Sequence, residues 1–170
     1  TMAVAEARVM LSGQRSARSK RTWRPAKLGF EIDVPEDWSL PTGSSNNVTC
    51  RPDEAVDFAI GPAPTELLPD LIEREFRRYA LSKGYTNLKC GRIRVGGKDH
   101  VWASYRERRG EWSKKYMLVF SGVQYIISTT GANLATFTQR EKVWDAMVRT
   151  FRLSKQREHE IDKERAQRVK

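Results

Sequence analysis

The chain has 170 residues, 39% apolar and 31% charged, with a formal net charge of +10. That length supports one good hydrophobic core and not two. The sequence contains no run of about 18 apolar residues, which excludes a membrane-spanning helix. The basicity sits at the ends. Residues 1–29 hold seven Lys or Arg against Glu6 alone, and residues 154–170 hold six against four acidic groups. The middle is nearly balanced, whereas a folded nucleic-acid reader carries its charge on the domain itself.

Met2–Leu11 is faintly like a secretory signal, but Glu6 and Arg8 interrupt it and the positive charge follows it instead of preceding it. Thr1 reads as an expression remnant. The absence of a clear signal or lipobox favours the cytoplasm. Residues 12–27 are polar and basic with almost no aliphatic side chain, so 1–28 is read as a flexible basic segment.

The domain begins at Gly29. Phe30, Ile32 and Val34 alternate with polar residues and predict a strand, which Pro35 ends because it has no amide hydrogen. Residues 41–53 are rich in Pro, Gly, Ser and Asn and read as loop. Ala55–Gly61 is a second strand, with Val56, Phe58 and Ile60 on one face. Leu68, Leu71, Ile72, Phe76 and Tyr79 recur at three and four residues and predict a helix, with Pro69 in its first turn and Gly84 past its end. Strands follow over 88–95, 98–106, 114–121 and 124–130, joined by turns at Gly96-Gly97, Arg108–Gly110 and Ser121-Gly122. A second helix covers 134–151, with Thr136 as its cap and Phe137, Trp144, Met147, Val148 and Phe151 as its stripe. Residues 154–170 are a charged tail, either a solvated helical extension or frayed. The order β-β-α-β-β-β-β-α with hairpin connections predicts an α+β fold: a twisted antiparallel sheet of about six strands flanked by two main helices.

Three patterns resemble the Mog1/PsbP-like family. The opening Gly29-Phe-Glu-Ile-Asp-Val-Pro-Glu-Asp-Trp38 is similar to the family's G-F-x-φ-x-φ-P-x-x-W start, where φ is apolar. The hairpin Lys114–Ser121 and Val123–Thr130 is similar to its late hairpin, and Trp144–Leu153 to its closing helix and Ser/Thr-Phe-x-Leu end. The resemblance covers about residues 28–153 and implies an α/β/α sandwich. The family includes a Ran-GTPase partner, a photosystem extrinsic subunit and many bacterial proteins, often exported or lipid-anchored. This chain departs from the exported members in its charged ends and lack of a lipobox. Shared fold does not transfer function.

The residues point away from catalysis. Cys50 or Cys90 paired with His100 would be one route to a nucleophile, and no motif surrounds either thiol. Cys90 reads as a packing residue, and whether Cys50 and Cys90 are bonded stays open. His159 sits in the charged tail. Two His and two Cys far apart in sequence give no metal spacing, and no Gly-rich segment forms a phosphate loop, so no cofactor is expected. The preferred function is a non-enzymatic protein-interaction or assembly module. The candidate partner-binding residues are Trp102, Tyr105, Arg106, Arg108, Arg109, Trp112, Lys114 and Lys115, with the pleat turning one Trp outward as a hot spot. The alternative is nucleic-acid or anionic-surface binding through that hairpin and a basic tail of Arg15, Arg18, Lys20, Arg21, Trp23 and Arg24, with bases stacking on the aromatics. Glu107 and Glu111 blunt that reading. A third, weaker reading is a small-ligand or hydrolytic cleft beside the sheet.

Overall fold

The computed structural model describes residues 19–25, 28–38, 40, 47–51, 54–62 and 68–169, with the backbone alone over 47–62. Strand β1 (Lys20–Trp23) pairs antiparallel with β2 (Phe30–Pro35). Strands β3 (Asn47–Arg51) and β4 (Glu54–Pro62) form a hairpin, and helix α1 (Pro69–Lys83) follows. The meander β5 (Thr86–Val95), β6 (Lys98–Arg106), β7 (Trp112–Phe120) and β8 (Val123–Gly131) comes next. Helix α2 (Leu134–Arg149), the short strand β9 (Arg152–Leu153) and helix α3 (Lys155–Arg168) close the chain.

The strands make two antiparallel sheets, β3-β4-β8-β7-β6-β5 and β1-β2-β9. Helix α1 packs on one face of the large sheet, chiefly against β6 and β5. Helix α2 and the small sheet cover the opposite face. The main core lies there and contains Phe30, Ile32, Val34, Tyr116, Leu118, Ile127, Trp144 and Val148. Phe30 joins the two sheets, its ring 4.9 Å from Phe151 and 5.9 Å from Tyr125. A smaller core under α1 holds Ile72, Phe76, Ala80, Val101, Ala103, Tyr105 and Met117.

Local signals explain the element ends. The turn residues Gly96 and Gly97 have φ of 58° and 75°, the left-handed pair of a two-residue hairpin. Gly84 has φ 71° and passes its N–H to Leu81, while Tyr85 N–H reaches back to the Ala80 carbonyl, the bond pattern that closes a helix in a left-handed cap.

The structure departs from the sequence reading in four places, and decides between two alternatives in a fifth. Strand β1 lies within the segment read as a flexible tail, because its backbone pairs with β2 and Trp23 enters the main core. Strand β3 lies within the predicted loop. Leu68 and Tyr79 are 67% and 40% exposed: Leu68 stands before the helix, and Tyr79 lies at the open edge of the contact between α1 and the sheet. The α2 cap is Asn133, whose Oδ1 accepts from Thr136 N–H at 2.9 Å. The C-terminal segment takes the helical alternative, as α3, capped by Ser154 and anchored by the buried Ile161.

Candidate partner-binding surface

The eight candidate residues of the β6–β7 hairpin do not share a surface. The pairing Trp102↔Tyr116 and Arg106↔Trp112 puts Trp102 and Trp112 on the same face, the one under α2. Neither tryptophan turns fully outward, which corrects that expectation. Trp102 lies over Gly91, where an added Cβ would stand 2.5 Å from its Cζ2. Trp112 packs 6.0 Å from Phe137.

Lys114 also lies on this face and is 3% exposed. Its Nζ is 2.9 Å from Asp145 Oδ1, 3.1 Å from Glu141 Oε2 and 4.2 Å from the Trp102 ring centre. Tyr116 donates its hydroxyl to the same Asp145 oxygen at 2.5 Å, and burial with that carboxylate pushes its pKa well up. The group ties α2 to the sheet. Its ammonium is satisfied inside the fold and is withdrawn from any phosphate or partner.

Tyr105 is buried on the α1 face, stacked 4.3 Å from Tyr85 at 12°. Its reading as a surface residue is corrected likewise: the alternation that exposes Arg106 sends Tyr105 inward. Arg106, Arg108 and Arg109 are exposed at the hairpin tip. Arg108 lies against Gly84, whose added Cβ would come within 2.6 Å of its Nε, so its guanidinium sits at the carbonyl end of α1. Within the tip, burial and the hydrogen bond that the protonated Glu107 carboxyl donates to Glu111 push the Glu107 pKa up.

Lys115 is the candidate that reaches a groove. It shares the α1 face with Met117, and the cleft between α1 and strands β7 and β8 has a volume of about 500 Å³. Ile72, Phe76 and Tyr79 form one wall, and Met117 and Ile126 form the other. The Lys115 and Lys83 ammonium groups lie 5.5 and 5.6 Å from the Tyr79 ring centre. Among the described residues neither has a carboxylate within ion-pair distance, whereas Glu75 on the rim pairs with Arg78 at 3.7 Å.

The basic segment is partly built into the fold. Arg21 donates to the Trp38 carbonyl, Arg24 pairs with Glu31 at 3.1 Å, and Lys20 lies in β1. Trp23 stands edge-on to Phe30 at 5.6 Å in the core, so it offers no face to a base. Arg15 and Arg18 lie outside the described residues.

The cysteine and histidine readings separate cleanly. Cys50 is in β3 and Cys90 in β5, at opposite edges of the six-stranded sheet. Five strand spacings of about 4.8 Å separate them, which rules out a disulfide. Cys90 is free, and burial pushes its thiol pKa up. It opposes Ala103 while His100 opposes Ile93, so thiol and imidazole point to opposite faces. The β6–β7 ladder ends at Val101↔Met117, and beyond it His100 Nδ1 accepts from Val119 N–H at 3.1 Å. That bond leaves the proton on Nε2, which donates to the Val95 carbonyl at 3.2 Å. No group of three His, Cys, Asp or Glu placed to hold a metal occurs among the described residues. No described helix is long and apolar enough to cross a membrane.

No family model and no curated protein matches the sequence. Solved structures do match. Cyanobacterial PsbP from Synechocystis sp. PCC 6803 aligns with a TM-score of 0.53 at 14% identity, over 79% of this chain and 92% of its own. A point mutant of Mog1 aligns at 0.50 and 12% identity, over 80% and 96%. This chain has the Mog1/PsbP-like fold. The Ran-binding protein Mog1p of Saccharomyces cerevisiae aligns at 0.49 and 12% identity, over 79% and 95%. Within the Mog1/PsbP-like sandwich of this chain, the groove beside α1 is where the helix layer stops short of the sheet's width. Sequence reasoning found Lys115 but missed Tyr79 and Ile126. Tyr79 carried a misleading signal, since it falls on the helix's apolar spacing.

Proposed function

We propose that this chain is a non-enzymatic protein-interaction module whose groove between α1 and strands β7 and β8 takes an acidic segment of a partner protein. The observation that carries the reading is an apolar groove lined by Lys115, with the Lys83 ammonium on the exposed Tyr79 ring at its edge and neither lysine within ion-pair distance of a carboxylate among the described residues. Apolar side chains of the incoming segment fill the space between Phe76 and Ile126, and its carboxylates meet the lysines. Aromatic side chains at the centre of such a patch carry most of the binding energy. The reading for this chain rests on its own groove.

The test places a photo-crosslinking amino acid at Tyr79 or Ile126 in the source cells, with Arg140 on the α2 side as control. The expected result is one protein crosslinked from 79 and 126 through an Asp/Glu-rich segment, lost on Lys115→Glu in a chain of unchanged thermal stability. Equal capture from Arg140, or no capture above background from the groove, overturns the reading.

A further inference from the structure

A second cleft of about 500 Å³ opens where four elements meet: the start of α1, the β5–β6 turn, the β7–β8 turn and the C-terminal half of α3. Its floor is apolar, made by Ile72, Met117, Val119 and Ile161. Five ionised side chains line it, and their pairing is lopsided. The two carboxylates are engaged by arginines beyond the cleft: Asp99 lies 3.2 Å from Arg94, and Glu164 lies 3.8 Å from Arg157. The three cations, Lys98, Arg165 and Arg168, have no carboxylate within ion-pair distance among the described residues. Among the described residues Arg165 reaches the Ser121 hydroxyl, at 3.5 Å.

These cations come from places far apart in sequence, and α3 delivers two of them one helical turn apart. The first turn of α1 faces the same space with no side-chain cap, so its partial positive charge has the same sign. Three cations with no carboxylate within ion-pair distance among the described residues, above an apolar floor, match a dianion joined to an apolar group better than a singly charged carboxylate. A phosphate monoester carries close to two negative charges at neutral pH, and guanidinium groups bind its oxygens in a two-point fashion. The volume falls within the range of small-molecule sites.

We propose that this cleft binds a phosphate monoester with an apolar ester group, its phosphate held by Lys98, Arg165 and Arg168. The site is separate from the α1 groove proposed for a protein partner, although Ile72 and Met117 contribute to both.

The experiment titrates the full chain with phenyl phosphate while following backbone amide and arginine side-chain NMR signals. The expected result is a saturable shift of Ile72, Gly122, Arg165 and Arg168, with weaker binding of inorganic phosphate. Lys98→Gln with Arg168→Gln lowers the affinity at least about tenfold, since two charge-assisted hydrogen bonds are lost. Arg78→Gln, on the outer face of α1, leaves it unchanged. A parallel arm uses phosphatidylcholine vesicles containing phosphatidic acid: co-flotation lost in the double variant assigns the same phosphate chemistry to a lipid, and its absence beside a phenyl phosphate response assigns it to a free ester. No saturable shift in either arm, shifts spread equally over Arg74, Arg106 and Arg109, or a double variant that binds as wild type overturns the proposal.

Discussion

The two faces of the six-stranded sheet are covered by very different amounts of chain. One face lies under α2 and the small sheet, and its side chains form the main core. Even the lysine there, Lys114, is closed in by two carboxylates and an indole. Among the described residues, the other face has α1 alone. A helix is about 10 Å across, roughly two strand spacings. One helix therefore covers β5 and β6 and leaves a groove over β7 and β8. Incomplete coverage of a wide sheet is thus a direct source of a binding surface, with no special motif needed.

The sharpest way to test that contrast is to truncate neighbouring isoleucines that face opposite ways. Ile127 is fully buried in the main core, so Ile127→Ala is expected to cost about 4 kcal/mol in urea unfolding. Ile126 lines the groove and is half-buried, so Ile126→Ala is expected to cost about 1 kcal/mol, as little packing is lost. Equal costs would mean the groove is filled in the isolated chain, and the comparison would fail.

The charge cluster on the covered face comes next. Lys114→Ala leaves Asp145 and Glu141 facing each other beneath α2. The expected loss is about 2–3 kcal/mol, at or below the low end for a broken buried pair because both carboxylates keep some solvent contact. Lys115→Ala, one residue along and on the open face, is expected to stay within about 0.5 kcal/mol. Denaturation midpoints of the two variants decide this.

The smallest effect concerns His100. Burial lowers its pKa below the ordinary value, and the nearby Lys98 charge acts in the same direction while Asp99 opposes it. Protonation would also remove the acceptor for Val119 N–H. The folded state therefore binds the proton less readily than the unfolded chain. The stability this group contributes is present above its unfolded pKa of about 6.5 and is lost as pH falls below that value. The raised Glu107 carboxyl acts in the opposite sense, favouring the folded state as acid protonates it. The difference between wild type and His100→Gln isolates the histidine: unfolding free energies measured from pH 7 to pH 5 should fall more steeply for wild type. Parallel curves would show that the imidazole does not titrate with folding.

Much of the architecture was legible locally. The β5–β6 turn follows from Gly96-Gly97, the end of α1 from Gly84, and the core face of β2 from Phe30, Ile32 and Val34. Strand β1 was not legible, because Lys20-Arg21-Thr22-Trp23 has the composition of a tail and becomes a strand only by pairing with β2. The candidate site was legible in one part. Alternation within β6 and β7 is local, but the relation of Trp102 to Trp112 depends on the register that the 107–111 turn imposes. The cationic cleft had no sequence signal at all, since Lys98 and Arg168 meet only after α3 has run along the end of the sheet.

The sequence by itself determined the periodicities and the turns: which residues alternate, where strands reverse and where helices stop. Those depend on backbone conformation over a few residues. The tertiary structure alone decided which of two adjacent lysines is buried and which stands at a groove. Lys114 and Lys115 have the same chemistry and the same local sequence, and strand geometry dictates only that they point opposite ways. Which of those ways is covered depends on helices placed tens of residues before and after them.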